Sequence, residues 1–333
     1  MEMVTIYDIA KKMGVSPSTV SRALRNAPGT SAELREKIQR ISEEMGYRTN
    51  WVARHLRMRN SILVGVIVDE EWNWYSGTVA EGIQSYAYEN DIRLLYWNAK
   101  SVEDQRMGLE IFEQMRVTGV LFASTQITEA YKGFAKLSCP AVYVNRMMGS
   151  KTSRILTDDT RGAALAVRHL LSLGHRDIAF INGPQHSIHS MKRLIGVKDT
   201  LKEAGLELPE KWYANVEWTG EQAHEVALDM LSHSRRPTAV ICGNDEIAVG
   251  VYDAARQLSL DIPKDLSVIG YNDHTCCQYL RPKLTTITLP LWQMGRNALE
   301  ALHLKIRQKQ LPKEKRVVPG ELVIRDSTAP CLK

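Results

Sequence analysis

At 333 residues, 44% hydrophobic and 24% charged, the chain has the composition of a soluble globular protein and the length of a small domain plus one large two-lobed domain. Its charge is uneven: residues 1–60 hold 11 Lys and Arg against 6 Asp and Glu, while residues 61–333 balance at 32 against 32, so a compact basic end precedes a neutral body. No window approaches the roughly 20 apolar residues of a membrane helix, and the start MEMVTIYDIAKKMG lacks a secretory signal pattern, so a cytoplasmic location is expected.

The basic end has the periodicity and caps of helices, which a solvated tail would lack. Thr5 with Asp8 forms a capping box, Ile6, Ile9, Ala10 and Met13 fall on one helical face, and Gly14 supplies the stop. Ser16 then caps a second helix with Pro17 at its first position and Val20 and Leu24 inward. A third begins near Thr30 or Ser31, carries Leu34, Ile38, Ile41 and Met45, and stops at Gly46. Two short helices braced by a third fit a DNA-binding helix-turn-helix, and periodicity alone fits a plain three-helix bundle as well. The outward face of the second helix favours DNA. Pro17, Ser18, Thr19, Ser21 and Arg22 are small or hydrogen-bonding, and Arg can grip guanine bidentately in the major groove.

TIYDIAKKMGVSPSTVSRAL followed by REKIQRISEEMGYRTNWVARHL resembles the headpiece of the lactose-repressor and galactose-repressor family. The resemblance implies base contacts by Pro17, Ser18 and Arg22, and backbone contacts by Thr5, Tyr7, Ser16, Thr19, Ser21, Asn26 and Ser31. It also implies a hinge helix in the minor groove over Asn50 to Arg57, with Val52, Ala53 and Leu56 in the pattern, Leu56 as the wedge between base pairs and Arg54 among the flanking cations. So short a helix should order only against DNA and a partner's copy.

From Ser61 onward apolar runs alternate with helical stretches. Ile62 to Val68, Arg93 to Trp97, Gly119 to Ser124 and Ala141 to Asn145 read as buried parallel strands, and Asp177 to Gly183, Trp212 to Val216, Thr238 to Asp245 and Leu266 to Asp273 as a second series. The expected fold is thus an all-α headpiece at 1–49, a hinge or linker at 50–60, and an α/β doubly wound, periplasmic-binding-protein-like regulatory domain at 61–333. Its first lobe is expected at about 61–158 and 290–317, its second at about 159–289 and 318–328.

Neither a dinucleotide fingerprint nor a phosphate loop is present, no nucleophile elbow or metal-spaced His set stands out, and no enzyme, cofactor or metal is expected. Five cysteines, odd in number and without ligand spacing, argue against a disulfide framework; adjacent Cys276 and Cys277 read as small semi-buried residues ahead of a redox pair.

LSLGHRDIAFINGP, RPTAVICGNDEIAVGV, DIPKDLSVIGYND and ELVIRDST are similar to segments of the same family's regulatory domain, so the resemblance covers nearly the whole chain. It implies that Arg193 contacts ligand hydroxyls with its fork of donors, that Trp218 stacks on the ligand, and that Asn244 and Asp245 line the floor. His189 would donate to the ligand. Asn145 and Asn272 stand where many members carry a carboxylate, which tells against a simple neutral hexose and leaves room for an acidic or phosphorylated sugar. Asp69, Trp72, Trp74 and Tyr75 form an aromatic rim that suits either stacking on a sugar or packing in the core; a purine is disfavoured by Ser187 and His189.

The implied regulator binds a palindromic double-stranded DNA operator as a homodimer, a tetramer being disfavoured because no heptad-bearing helix follows VIRDST. A sugar-like effector that releases DNA is preferred, with a corepressor as the alternative; a solute-binding protein or sugar-modifying enzyme is a distant one.

Overall fold

The structure, a computed structural model, describes residues 4–47, 62–69, 74–123, 137–145, 153–308 and 315–332. The chain divides into two compact units, Met1–Ser61 and Ile62–Lys333. The expected hinge residues Asn50, Val52, Ala53, Arg54 and Leu56, together with Trp72 and the side chain of Asp69, lie outside the described residues.

The first unit is three helices, α1 (Ile6–Met13), α2 (Pro17–Leu24) and α3 (Ala32–Glu44). Each starts on a hydroxyl cap, because the first backbone N–H groups of a helix have no partner inside it. Thr5 Oγ1 accepts from Asp8 N, Asp8 returns the bond to Thr5 N at 2.8 Å, and Ser16 and Ser31 accept from Thr19 N and Leu34 N. Gly14 closes α1 with a φ of 65°, which glycine adopts without a Cβ penalty. Ile9, Ala10, Val20, Ala23 and Ile38 form the buried core, on the faces expected from their spacing except that Ala23 joins and Leu24 is only half-buried.

The second unit holds two six-stranded sheets. The first lobe comprises β1 (Leu63–Asp69), α4 (Trp74–Glu89), β2 (Arg93–Ala99), α5 (Val102–Gln114), β3 (Gly119–Ala123), β4 (Ala141–Val144) and β5 (Ser153–Thr157). The second comprises α6 (Asp159–Ser172), β6 (Ile178–Asn182), α7 (Ile188–Glu203), β7 (Tyr213–Asn215), α8 (Gly220–Ser232), β8 (Ala239–Cys242), α9 (Asp245–Gln257), β9 (Ser267–Asn272) and β10 (Thr285–Thr288). The chain then returns to the first lobe with α10 (Leu291–Gln308) and β11 (Lys315–Val318), and ends beside the second with β12 (Leu322–Val323).

Strand orders are β11-β5-β4-β3-β1-β2 and β12-β10-β9-β8-β6-β7, with every pairing parallel except β10 with β12. The eight strands expected from apolar runs all form, with ends shifted by a few residues; β5, β10, β11 and β12 were not expected. Helices cover both faces of each sheet, so the strands read as continuous apolar runs. On one face of the first lobe α10 crosses α4 so closely that a Cβ on Gly295 would lie 2.0 Å from the Val79 carbonyl oxygen.

Three passages of the chain join the lobes, after β5, after β10 and after β11. They bring the strand ends of the two sheets toward each other, which is where ligands bind in open parallel sheets.

Candidate functional site

In the first unit five of the ten residues expected to read DNA, Tyr7, Pro17, Ser18, Ser21 and Arg22, are brought onto one surface. Ile6, Tyr7, Pro17, Ser18, Ser21, Arg22 and Arg25 line a single concavity on α1 and α2. Tyr7 is 72% exposed, and Ser18 and Arg22 are exposed as well. Among the described residues no hydrogen bond or ion pair holds the Arg22 guanidinium, whereas Arg25 Nε donates to the Ser21 carbonyl at 2.9 Å. Arg22 is therefore the donor-rich side chain left available on that face. Ser16 Oγ lies 2.7 Å from Ser18 Oγ and 2.9 Å from Thr19 Oγ1, so this hydroxyl cluster is set by the cap that starts α2. Asn26 and Ser31 are exposed on the segment between α2 and α3, and Asn26 adopts a positive φ of 51° that a short polar side chain tolerates.

In the second unit the polar centre is Asp159, the first residue of α6, which is fully buried. Its Oδ1 accepts from Arg193 Nε at 2.9 Å and lies 2.9 Å from Nη2; its Oδ2 lies 2.8 Å from His189 Nδ1 and accepts from Thr157 Oγ1 at 2.8 Å. His189 and Arg193 are four residues apart on α7 and so share a face, which is why one carboxylate reaches both. Burial alone would raise the Asp159 carboxyl, but the Arg193 charge and the His189 and Thr157 hydrogen bonds outweigh it and hold the group well below its usual range.

Asn145, at the end of β4, joins this network: its Oδ1 accepts from Thr157 N at 3.3 Å and lies 3.1 Å from Thr157 Oγ1. Thr157 has one hydroxyl proton, and the nearer, charged Asp159 takes it. Arg193 is 4% exposed, and its guanidinium carbon sits 3.7 Å above the Tyr271 ring and 5.6 Å from the Trp218 ring. Its Nη1 donates to the Gly243 carbonyl. Trp218, half-buried, lies directly on Gly183: a Cβ there would be 2.1 Å from Trp218 Cη2. Glycine at that strand end is what lets the indole lie flat against the backbone.

Asn244 Oδ1 caps α9 by accepting from Ile247 N at 2.8 Å, and its Nδ2 lies 3.5 Å from the Trp218 carbonyl. Asp245, expected on the floor of the ligand site, is engaged within the fold. It is 2% exposed, with Oδ1 accepting from Thr286 Oγ1 at 2.6 Å and Oδ2 from His274 N at 2.7 Å, so each oxygen has a partner within the fold. Burial pushes its carboxyl up to about 7 against those two bonds. Asn272 has a φ of 112°, a conformation L side chains rarely adopt, and its buried Oδ1 has no partner among the described residues. Asp273 beside it is tied to Arg325 at 2.6 Å.

Trp74 and Tyr75, at the start of α4, pack against the first-lobe core, and the Trp74 ring also meets His274 of the second lobe edge to face at 5.0 Å. Both rings are only partly buried against that core. Among the described residues no group of His, Cys, Asp or Glu has the arrangement of a metal site, and no helix is long and apolar enough to cross a membrane.

Comparison with known proteins supplies the decisive observation. The model of bacterial regulatory proteins of the lacI family matches residues 5–50, and that of periplasmic binding protein-like domains matches residues 167–328. The HTH-type transcriptional repressor PurR of Vibrio vulnificus (strain CMCP6) is 31% identical over 98% of this chain and 98% of its own length. The chain belongs to the lacI family of bacterial regulatory proteins. The ribose operon repressor of Escherichia coli (strain K12) is 30% identical over 94% of this chain and 96% of its own. The solved lac repressor dimer, bound to operator and the anti-inducer ONPF, superposes with a TM-score of 0.85 at 28% identity over 98% of this chain and 100% of that one. This lacI-family protein is a DNA-binding, ligand-responsive transcription repressor, not an enzyme.

Two residues packed against Arg193 were not anticipated as site residues. Asp159 sits in Thr157-Asp158-Asp159, which by pattern is a helix start, and Asp158 is indeed the cap of α6. The second carboxylate of the pair was the available signal, since one cap needs one acceptor. Tyr271 was noted only as part of a motif, and its face beneath Arg193 follows from packing alone.

Proposed function

We propose that the two-lobed domain binds a sugar or sugar acid of about monosaccharide size between its strand ends, and that binding releases a homodimer from a palindromic operator in the cytoplasm. The observation that carries the ligand class is Trp218 lying flat on Gly183 with the Arg193 guanidinium 5.6 Å from its ring. A flat apolar surface beside fixed donors suits the alternation of C–H faces and hydroxyl edges in a sugar ring. Asp159 takes the Nε proton of Arg193 and Gly243 takes one from Nη1, while Nη2 lies 2.9 Å from the carboxylate as an ion pair. Nη1 and Nη2 thus keep N–H groups for a ligand.

The charge balance refines this. Asn145 and Asn272 in place of carboxylates favour an acidic ligand, but the positive charge of Arg193 is already offset by Asp159. A phosphate dianion would bring two uncompensated charges where a carboxylate brings one and a free sugar none, so a neutral sugar or a singly charged sugar acid is favoured over a sugar phosphate. Similarity to a repressor named for the ribose operon agrees with that class. On the DNA side, Pro17, Ser18 and Arg22 are proposed to touch bases, and Thr5, Tyr7, Ser16, Thr19, Ser21, Asn26 and Ser31 the backbone. The concavity shared by Tyr7, Pro17, Ser18, Ser21 and Arg22 supports the assignment for those five.

The test is thermal unfolding of the full chain against neutral sugars, uronic acids, sugar phosphates and nucleobases, followed by DNA binding with any stabilising compound. A ligand at 100 times its Kd adds about 2.7 kcal/mol to the domain it binds. Stabilisation by a free sugar or sugar acid with weakened DNA binding is the expected result. Stabilisation by nucleobases or sugar phosphates alone would overturn the ligand class, and tighter DNA binding with ligand would overturn the direction of control.

A further inference from the structure

An aromatic contact crosses between the lobes outside the Asp159 cluster. The imidazole of His274, which follows β9 in the second lobe, meets the indole of Trp74, the first residue of α4 in the first lobe, with ring centroids 5.0 Å apart and planes at 81°. Edge-to-face pairs at such separations attract beyond the area they bury. Each ring is anchored in its own lobe. Trp74 packs against the first-lobe core, and its carbonyl accepts from Thr78 Oγ1 at 2.8 Å.

The His274 side is held at more points. Its backbone N–H donates to Asp245 Oδ2 at 2.7 Å, and its Nδ1 accepts from Cys276 N at 3.3 Å, which fixes how the ring stands. The chain reaches it through two successive residues with positive φ, Asn272 at 112° and Asp273 at 59°, the second tied to Arg325 at 2.6 Å. Non-glycine residues keep such a backbone only where their surroundings hold it, and they gather at clamps and switch regions. Here they aim a ring at the other lobe.

Topology gives the contact leverage. The strands after which the chain crosses between lobes lie at one edge of each sheet, β5 and β11 in the first and β10 in the second beside β12. β1, the strand that precedes α4, is three strands in from β5, about 14 Å at the usual spacing. Turning the lobes apart by about 20° about the crossings shifts a point that far away by about 5 Å, enough to part the two rings. Asp245, which holds His274, also accepts from Thr286 Oγ1 on β10, so the anchor is bonded to a crossing strand.

We infer that Trp74 and His274 form a latch that holds the two lobes together when no effector is bound, so that the cleft opens only when this contact breaks. Its strength sets how often the empty cleft opens, and thereby how readily an effector enters. The latch acts whatever ligand the cleft takes, because its contacts lie within the protein.

The experiment is hydrogen exchange, read by mass spectrometry, on the full chain without ligand, comparing the parent with His274→Ala, His274→Phe, Trp74→Leu and the double variant of His274→Ala with Trp74→Leu. His274→Ala should speed exchange at residues 75–80 of the opposite lobe, and at the crossings 157–160 and 288–291, by about threefold or more. His274→Phe, which keeps an aromatic ring, should stay near the parent. Trp74→Leu should in turn speed residues 274–280, and the double variant should exchange no faster than the faster single one, since both changes break one contact. Trp74 also packs in its own core, so the effect of His274→Ala on α4 and the crossings decides. Effects confined to the mutated lobe, unchanged exchange at the crossings, or effects that add in the double variant would overturn the latch.

Discussion

Asp159 Oδ1 lies 2.9 Å from both Nε and Nη2 of Arg193, and the two groups are 0% and 5% exposed at the side chain. A buried pair of this kind fixes the orientation of the guanidinium, and each partner makes the other tolerable away from water.

Removing the acid should therefore be costly. Asp159→Ala leaves Arg193 charged and unpaired in the interior, and is expected to destabilise the second unit by about 3–5 kcal/mol. Adding Arg193→Met should recover part of that loss. Urea unfolding of the single and double variants checks it; a single variant as stable as the parent would show that the pair contributes nothing. Because the folded-state carboxyl is held below its ordinary value, its contribution is present above about pH 4 and is lost as the pH falls below that.

Asp245 has the opposite sign. Its carboxyl is raised to about 7 in the folded protein, so the contribution of this group is fully present below about pH 4 and declines as the pH rises toward 7. Stability measured by urea unfolding at pH 5.5 should exceed that at pH 8 by on the order of 1 kcal/mol or more from this group. In Asp245→Asn that increment should disappear; persistence of the same slope would assign it elsewhere.

Gly183→Val places side-chain atoms where Trp218 lies, since even a Cβ would sit 2.1 Å from its ring. The indole must move, and the proposed stacking surface goes with it. Calorimetric titration with the effector should show affinity weakened at least tenfold, while operator binding in its absence stays within about twofold because the first unit is untouched. Unchanged effector affinity would remove Trp218 from the site.

Arg22→Ala tests the DNA face. A bidentate base contact predicts about 1–3 kcal/mol less discrimination between operator and unrelated DNA, and an equal loss on both would make Arg22 a phosphate contact instead. Competition binding at fixed salt distinguishes the two.

What could be read along the chain was local. The three helices of the first unit were legible because Thr5 with Asp8, Ser16 with Pro17, and Ser31 are caps acting within three residues, and the apolar faces repeat at the helical period. Eight strands were legible as apolar runs, six of them buried on both faces and the edge strands β2 and β7 half-buried. β10 was not: Thr285 and Thr286 are wholly buried, which is tolerable because Thr286 donates to Asp245 and Thr285 Oγ1 accepts from Arg325 N at 3.0 Å. Both partners come from other elements.

The same division runs through the cleft. Arg193, His189 and Trp218 were visible as residue types at expected motif positions, yet their alignment depends on Asp159, which is 34 residues from Arg193 in sequence, and on Tyr271 beneath the guanidinium. Asp245 looked like a floor residue and became an internal node once Thr286 and His274 closed around it. The sequence by itself determined helix starts, strand runs and the basic end, because those interactions span a few residues. Only the tertiary structure decided which carboxylate is buried beside which cation, because that depends on elements brought together by the packing of two sheets.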